Sequence, residues 1–300
     1  MRNSQRGLPV WPKQGGDVMK LHNTNGLYRF CARMLVLVVF SSVFWFASPD
    51  NAFAELRVTA GVERFSWGEY SGGSKLLDES GPRYALGLTW LMEGQSGLLC
   101  GYNGKFYFND VTYNGRDSNG AALSSNTGYQ GMLNEGVLHY RVESDIKPDE
   151  TDRHYLDLVT GLGLDYWVRD IKGSGGISGY KETYMIGFLR AGLVMLPVKN
   201  GLEVAAGFKY PLYLNEKAGF QSAGLADADL VLTPKPDLSY YGSIGWRFEN
   251  AVSVTFDFDS YRFKESDPVS YTVGGVAAAN PMVQPESRME VYTLKVGYSF

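Results

Sequence analysis

The residues best equipped for chemistry are charges set on alternate positions between apolar neighbours: Lys105, Glu135, Arg141, Asp157, Asp165, Arg190, Glu203, Lys209, Arg247, Asp257, Asp259 and Lys295, with Arg57 and Glu63 in the same phase. Their signs are mixed. Alternate residues of a strand share a face, so these charges would line one side of a sheet whose other side is apolar. Three chemistries fit such a face: ion pairs that fill a small interior, the wall of a narrow water-filled pore, or a specific binding or catalytic site.

Other reactive types are sparse. His139 and His154 stand apart from each other and lack metal-ligand spacing, and Asp152 with His154 reads as turn chemistry. Cys100 reads as a small apolar wall residue. Gly161-Leu162-Gly163 and Gly173-Ser174-Gly175-Gly176 lack the following helix and lysine of a phosphate cradle, so they signal strand curvature and loop freedom. Asp227 and Asp229 read as a solvated acidic loop rather than a calcium site. No catalytic, cofactor or metal site is expected.

The full chain holds 28 Lys+Arg against 32 Asp+Glu; setting aside residues 1–54 leaves 22 against 30, an acidic balance that argues against nucleic acid as a partner. Met34 to Ala47 is a long apolar run behind Arg29 and Arg33, yet it is shorter than the roughly 20 residues a spanning helix needs. It reads as a signal-peptide core, with Ala52-Phe53-Ala54 offering small residues for cleavage before Glu55. Residues 1–54 are thus expected to be signal peptide and leader, with Met19 or Met34 as alternative starts, and 55–300 a single domain. Cys31 precedes the apolar core, the wrong side for lipidation, and Cys100 is left without a disulfide partner.

The elements that must position the charges are ten segments of alternating polarity. Short turns are expected at 93–97, 197–201 and 249–251, a longer connection at 144–153, and long polar stretches near 69–81, 111–130, 170–180, 215–236 and 265–285. Centring the last short turn on Asn250 pairs Phe248 with Val252, Trp246 with Val254, Ile244 with Phe256 and Gly242 with Phe258. Centring the first on Gln95 pairs Met92 with Leu98, Trp90 with Cys100, Leu88 with Tyr102 and Tyr84 with Phe106. Both hairpins present one apolar face. The segment Tyr184 to Leu196 is apolar on both faces apart from Arg190, so its phase stays open. Aromatic girdles are expected from Tyr298, Phe300, Phe248 and Trp90 at one rim and from Tyr261, Phe263 and Phe108 at the other.

The final stretch EVYTLKVGYSF, Glu290 to Phe300, alternates apolar Tyr292, Leu294, Val296, Tyr298 and Phe300 up to its last residue. It resembles the carboxy-terminal sorting strand of bacterial outer-membrane β-barrels, and the chain as a whole is similar to small porin-like barrels of the OmpA-OmpX kind. The resemblance implies an all-β fold, a transmembrane antiparallel up-and-down β-barrel of about ten strands, with eight or twelve as alternatives. It further implies export to the Gram-negative outer membrane, insertion by the barrel assembly machinery, contact with outer-membrane lipid and no cofactor.

The expected role is non-enzymatic: a narrow porin-like channel, or a plugged structural surface barrel with long extracellular loops and an unidentified extracellular ligand. The alternative is an outer-membrane enzyme, an omptin-like protease or a lipid-modifying one, or an adhesin working through its loops. Omptins share the strand number and keep an Asp-His pair at the outer rim. His139 and His154 do not fit that rim, because they map to mid-wall and to a turn at the opposite end.

Overall fold

In a computed structural model the chain is described over residues 54–93, 97–116, 120–142, 154–197 and 200–300. The expected leader up to residue 53, the connection at 144–153 and the centres of the first two short turns lie outside them. Seven long strands follow one another: β1 (Ala54–Ser71), β2 (Ser74–Glu93), β3 (Leu98–Arg116), β4 (Ala122–Val142), β5 (His154–Ile171), β6 (Tyr180–Pro197) and β7 (Gly201–Ala218). Two short pieces, β8 (Leu230–Leu232) and β9 (Lys235–Pro236), precede β10 (Ser239–Arg247) and β11 (Val252–Lys264). A small hairpin of β12 (Thr272–Val273) and β13 (Val276–Ala277) precedes β14 (Glu286–Ser299).

Antiparallel pairing runs in order from β1 to β7, passes through β10, β11 and β14, and returns to β1, where Val58 faces Tyr298 and Val62 faces Leu294. The result is a closed barrel of 10 strands. Closure pairs every wall strand on both sides, which a sheet in hydrocarbon requires, since each unpaired amide there costs several kcal/mol.

The alternation seen in the sequence sorts the side chains. Leu56, Val58, Val62, Leu86, Leu162, Leu193, Phe208, Ile244, Phe256, Leu294 and Val296 all point outward and are exposed. The sorting-strand residues Tyr292, Leu294, Val296, Tyr298 and Phe300 are among these exposed positions. This apolar belt runs from Tyr292 to Phe300 on β14 and from Leu56 to Val62 on β1, close to the roughly 9–11 residues that a tilted strand needs to cross a bilayer. Arg64, Gln130, Asp170, Lys181, Lys217 and Arg288 bound it on the outer wall. The chain is therefore a transmembrane antiparallel up-and-down β-barrel. Both ends of the described chain sit at one rim, where the Phe300 amide donates to the Leu56 carbonyl at 2.8 Å; the long connections lie at the other, the loop rim.

Register at the last hairpin agrees with the sequence: Trp246 faces Val254, Ile244 faces Phe256 and Gly242 faces Phe258. At the first hairpin it differs. Met92 faces Cys100, Trp90 faces Tyr102 and Tyr84 faces Phe108, so the turn is centred one residue later, and Gly97 takes a left-handed φ of 72°. A shift of two residues in partner keeps every side chain on its face, which is why the apolar assignment survives.

Two further expectations are corrected, and one open point is resolved. The polar stretches 69–81 and 111–130 are mostly strand: β1 and β2 join through Gly72-Gly73, with φ of 57° and 82°, and β3 and β4 continue to Arg116 and from Ala122. Two successive positive φ values are what a tight hairpin turn demands, and glycine meets them without strain. Tyr261 and Phe263 are not girdle residues; they share parity with Asp257 and Asp259 and are buried inside. On β6 the open phase resolves with Arg190, Phe188, Ile186, Tyr184 and Glu182 inward and Met185, Leu189 and Leu193 outward. A bulge opposite Gly187 and Phe188, at Pro211 to Tyr213, keeps β7 in step, because Pro211 has no amide proton to give to a ladder.

Candidate functional site: the barrel interior

At the rim shared by the chain ends, Glu203 is held between two guanidinium groups, Arg57 at 2.9 Å and Arg247 at 2.7 Å, and Glu55 joins the same pair. Beside it, Asp157 is fully buried and accepts from Arg141 at 3.1 Å while contacting His139 at 3.2 Å; Arg141 lies 3.9 Å over the Tyr155 ring. His139 belongs to this half of the barrel, far from the loops. Cys100 points outward into the belt.

One level further in, the pairs continue: Lys295 with Asp257 at 2.6 Å, Lys209 with Asp259 at 2.6 Å, Arg190 with Glu135 at 2.9 Å, and Lys105 with Glu63 at 2.9 Å. Asp165 accepts from the Tyr107 hydroxyl at 2.9 Å. The candidate charges named in the sequence thus face the lumen on nine strands, each beside a polar partner. Glycine makes the room. A Cβ on Gly207 would stand 2.5 Å from the Tyr241 hydroxyl, so bulky side chains reach across where the wall carries none.

Two cavities separate these layers, one of about 230 Å³ lined by Lys105, Glu135, Lys209 and Asp259, the other of about 180 Å³ lined by Arg57, His139, Glu203 and Arg247. They share Thr89, Asn103, Arg190, Ser243 and Lys295 and so adjoin. Each has space and polar walls for several waters.

Towards the loop rim the interior changes character. Phe65, Tyr184 and Tyr261 are 0% exposed, Trp67, Trp167 and Phe263 1%, and Phe188 2%, forming one packed cluster across the lumen. Trp167 stacks on Tyr184 with centroids 4.9 Å apart and planes 12° apart, and Tyr261 stacks on Phe263 at 5.8 Å. Arg83 is threaded through this layer, 4.1 Å from the Phe65 ring and 4.3 Å from Tyr107, with Glu63 at 2.6 Å as its counter-charge.

Above it, beyond the belt, Arg169 is the centre of a buried acidic cluster. It meets Glu182 at 2.6 Å and Glu69 and Glu79 at 3.0 Å each. Glu79 also accepts from Thr127 at 2.7 Å and from the Tyr129 hydroxyl. Burial works against the Arg169 charge, but Glu182 and Glu79 outweigh it and hold the proton more firmly than usual. Glu216 is buried with both carboxyl oxygens lacking a hydrogen-bond partner among the described residues. Burial, and then Glu182 and Glu69 beside it, push its pKa well above the carboxylate range; burial likewise raises Glu182. Tyr113, at the same level, is pushed up to about 12 by burial.

Sequence reasoning missed Arg83, Arg169, Glu69, Glu79, Glu182, Glu216 and the two tryptophans. The signal was available in parity: Glu63, Phe65, Trp67 and Glu69 continue one odd-numbered inward face. The polar outward residues around that face give the linear chain the look of a loop there. Asp227 is engaged differently from a cation ligand, its carboxylate accepting from the Gly274 and Gly275 amides at 2.7 and 2.9 Å.

No family model and no curated protein sequence matches the chain. Solved structures similar to it include the outer membrane protease OmpT from Escherichia coli, at 12% identity and a TM-score of 0.45, covering 84% of this chain and 98% of that one. The transport unit of the autotransporter AIDA-I from Escherichia coli is similar at 10% identity and a TM-score of 0.43, covering 90% and 98%. The translocator domain of the autotransporter NalP from Neisseria meningitidis has 11% identity and a TM-score of 0.38, covering 91% and 97%. The closed ten-strand wall with its apolar belt has the architecture of the bacterial outer-membrane β-barrels.

Proposed function

We propose that the chain is a non-enzymatic surface barrel of the outer membrane, closed within its loop-side half, whose rim and loops face outward. The observation that carries this reading is the packed aromatic layer, in which Trp67, Trp167, Tyr184 and Tyr261 are at most 1% exposed while spanning the lumen from opposite walls. Aromatic side chains buried to this degree across the lumen support a barrel without a path for a hydrated ion. The apolar run Met34 to Ala47 supports export, with the chain-end rim then facing the periplasm.

An enzyme of the omptin kind is disfavoured, because that site needs an Asp-His pair among the outer loops and His139 lies at the opposite end. A gated pore has one observation in its favour, the adjoining polar cavities; it requires the aromatic layer to open. Planar-bilayer recording with the purified, refolded chain tests the reading. Absence of conductance steps above the detergent background is expected, and regular steps from the unmodified protein would refute a closed lumen.

A further inference from the structure

The lipid-facing wall carries a side-chain amide that lipid cannot satisfy. The directly opposed outward residues Val58, Leu88, Gly104, Asn134 and Leu164 form a row across β1 to β5, and Asn134 is its polar member. It lies four residues inside Gln130, which bounds the belt on β4, or roughly 13 Å along the strand. Leu138 and Tyr140, 45% and 56% exposed, continue the belt on its other side. The Tyr102 hydroxyl donates to the Asn134 Oδ1 at 2.7 Å, and among the described residues the Asn134 amide nitrogen donates to nothing. One hydroxyl serves only one half of an amide, which offers two N–H groups and a carbonyl with two lone pairs. Left unmet in hydrocarbon, such a group is costly. Thr160, outward on β5, shows the local remedy: its hydroxyl donates to the Arg190 carbonyl at 3.2 Å. Asn134 has no acceptor of that kind.

The wall around this amide is low. Tyr102 lies along it over Gly104, where a Cβ would stand 2.9 Å from the Tyr102 hydroxyl. Gly136, next to Asn134 on the outward face of β4, is exposed, and a Cβ there would meet nothing within 4 Å. It sits directly between Tyr102 on β3 and Leu162 on β5, and Leu162 stands 63% exposed beside it. Gly136 is thus the floor of a notch framed by Tyr102, Asn134, Leu138 and Leu162.

We propose that this β3–β5 face binds a second copy of the chain, related by a two-fold axis along the membrane normal. Two copies inserted in the same direction hold Asn134 at the same depth, and an axis passing beside it sets amide against amide. Each amide then gives an N–H to the lone pair of the other's Oδ1 that Tyr102 leaves free, so a single residue supplies both halves of the contact. A leucine at the rim of one notch fills the space over Gly136 in the other copy. Small residues that allow close approach and polar side chains that bond across the contact are what hold membrane-embedded helices together, and both stand on this sheet face. A lipid chain fills the notch equally well but brings no acceptor. The face lies outside the lumen, so bilayer conductance and self-association fail independently.

The test is self-association of the refolded full chain, with heat-modifiable gel migration confirming that each variant is folded. Sedimentation equilibrium in density-matched micelles is expected to show a dimer that dissociates as detergent dilutes the protein. Asn134→Leu and Gly136→Leu, each placing an apolar side chain on a lipid-facing position with room for it, should weaken that dimer about tenfold or more. Ala206→Leu, at an exposed small residue on the outer wall of β7, should leave it unchanged. In lipid vesicles, Asn134→Cys combined with Cys100→Ser should give a disulfide-linked dimer under mild oxidation, and Ala206→Cys in the same background should not. A monomer at every dilution, which would leave the face to lipid, a dimer insensitive to both Asn134→Leu and Gly136→Leu, or cross-linking through position 206 instead of 134 would each overturn the proposal.

Discussion

Trp167 stacks on Tyr184 at 4.9 Å, and the two rings, from neighbouring strands β5 and β6, pack into the lumen beneath the Arg169 cluster. Neither ring reaches solvent: their exposures are 1% and 0%. The proposed closed lumen rests on burial of this depth.

Removing that stack should be felt twice. Trp167→Ala is expected to destabilise the barrel by about 3–5 kcal/mol, the usual cost of emptying an aromatic site in a packed core. Combined with Trp67→Ala, it should also produce conductance steps absent from the parent. Denaturant titration in micelles and planar-bilayer recording check the two effects separately.

Arg169 carries the charge balance of the outer cluster. Arg169→Met would leave Glu69, Glu79 and Glu182 buried without their shared cation, which costs about 3–5 kcal/mol for a broken buried pair. Adding Glu182→Gln to that variant should recover part of the loss, because one fewer carboxyl then needs a counter-charge. A double-mutant cycle measures the coupling.

The acidic cluster also sets a pH dependence. Burial and the neighbouring Glu182 and Glu69 raise the Glu216 pKa above its value in the unfolded chain, so the folded state binds this proton more tightly. Its contribution is fully present below the ordinary carboxylate range and is lost as pH rises towards the folded value, at about 1.4 kcal/mol per tenfold difference in proton affinity. Stability should fall on moving from pH 5 into the alkaline range, and Glu216→Gln should flatten that slope. Unfolding midpoints measured across pH for parent and variant decide it; parallel slopes would remove Glu216 from the account.

Gly163 is a packing requirement. A Cβ there would stand 2.2 Å from the Phe188 ring tip, in a layer where the ring is 2% exposed and cannot swing away. Gly163→Ala should cost about 1–3 kcal/mol by overpacking. Phe188→Leu placed beside it should relieve most of that, as seen in the unfolding midpoint.

The belt predicts a medium-dependent effect. Leu294 is 58% exposed, so Leu294→Arg would cost little if that face met water. Against hydrocarbon the same change costs about 2–4 kcal/mol near the midplane. Equilibrium unfolding in lipid vesicles distinguishes the two values.

Much of the wall was legible in the linear chain because strand parity is local. Phe256 and Phe258 alternate with Asp257 and Asp259, so a single turn centre at Asn250 orders the whole β10–β11 pairing, and the same logic orders the faces of β14. The Gln95 turn shows the limit. Local pattern there tolerates a two-residue slip without moving any side chain to the other face, and the pairing of Trp90 with Tyr102 had to come from the closed sheet.

Alternation by itself thus determined the fold class, the lipid-facing residues such as Leu294 and Val296, and the set of inward charges. It did not determine partners or whether the lumen is open, because those depend on side chains that meet across the barrel from strands far apart in sequence. Arg169 meets Glu69 and Glu79 across a separation of 100 and 90 residues, and Tyr261 and Phe263 turn from expected girdle residues into lumen filling once closure brings them against Trp67 and Trp167. Parity says which way a side chain points; only the curvature of the closed sheet decides what it finds there.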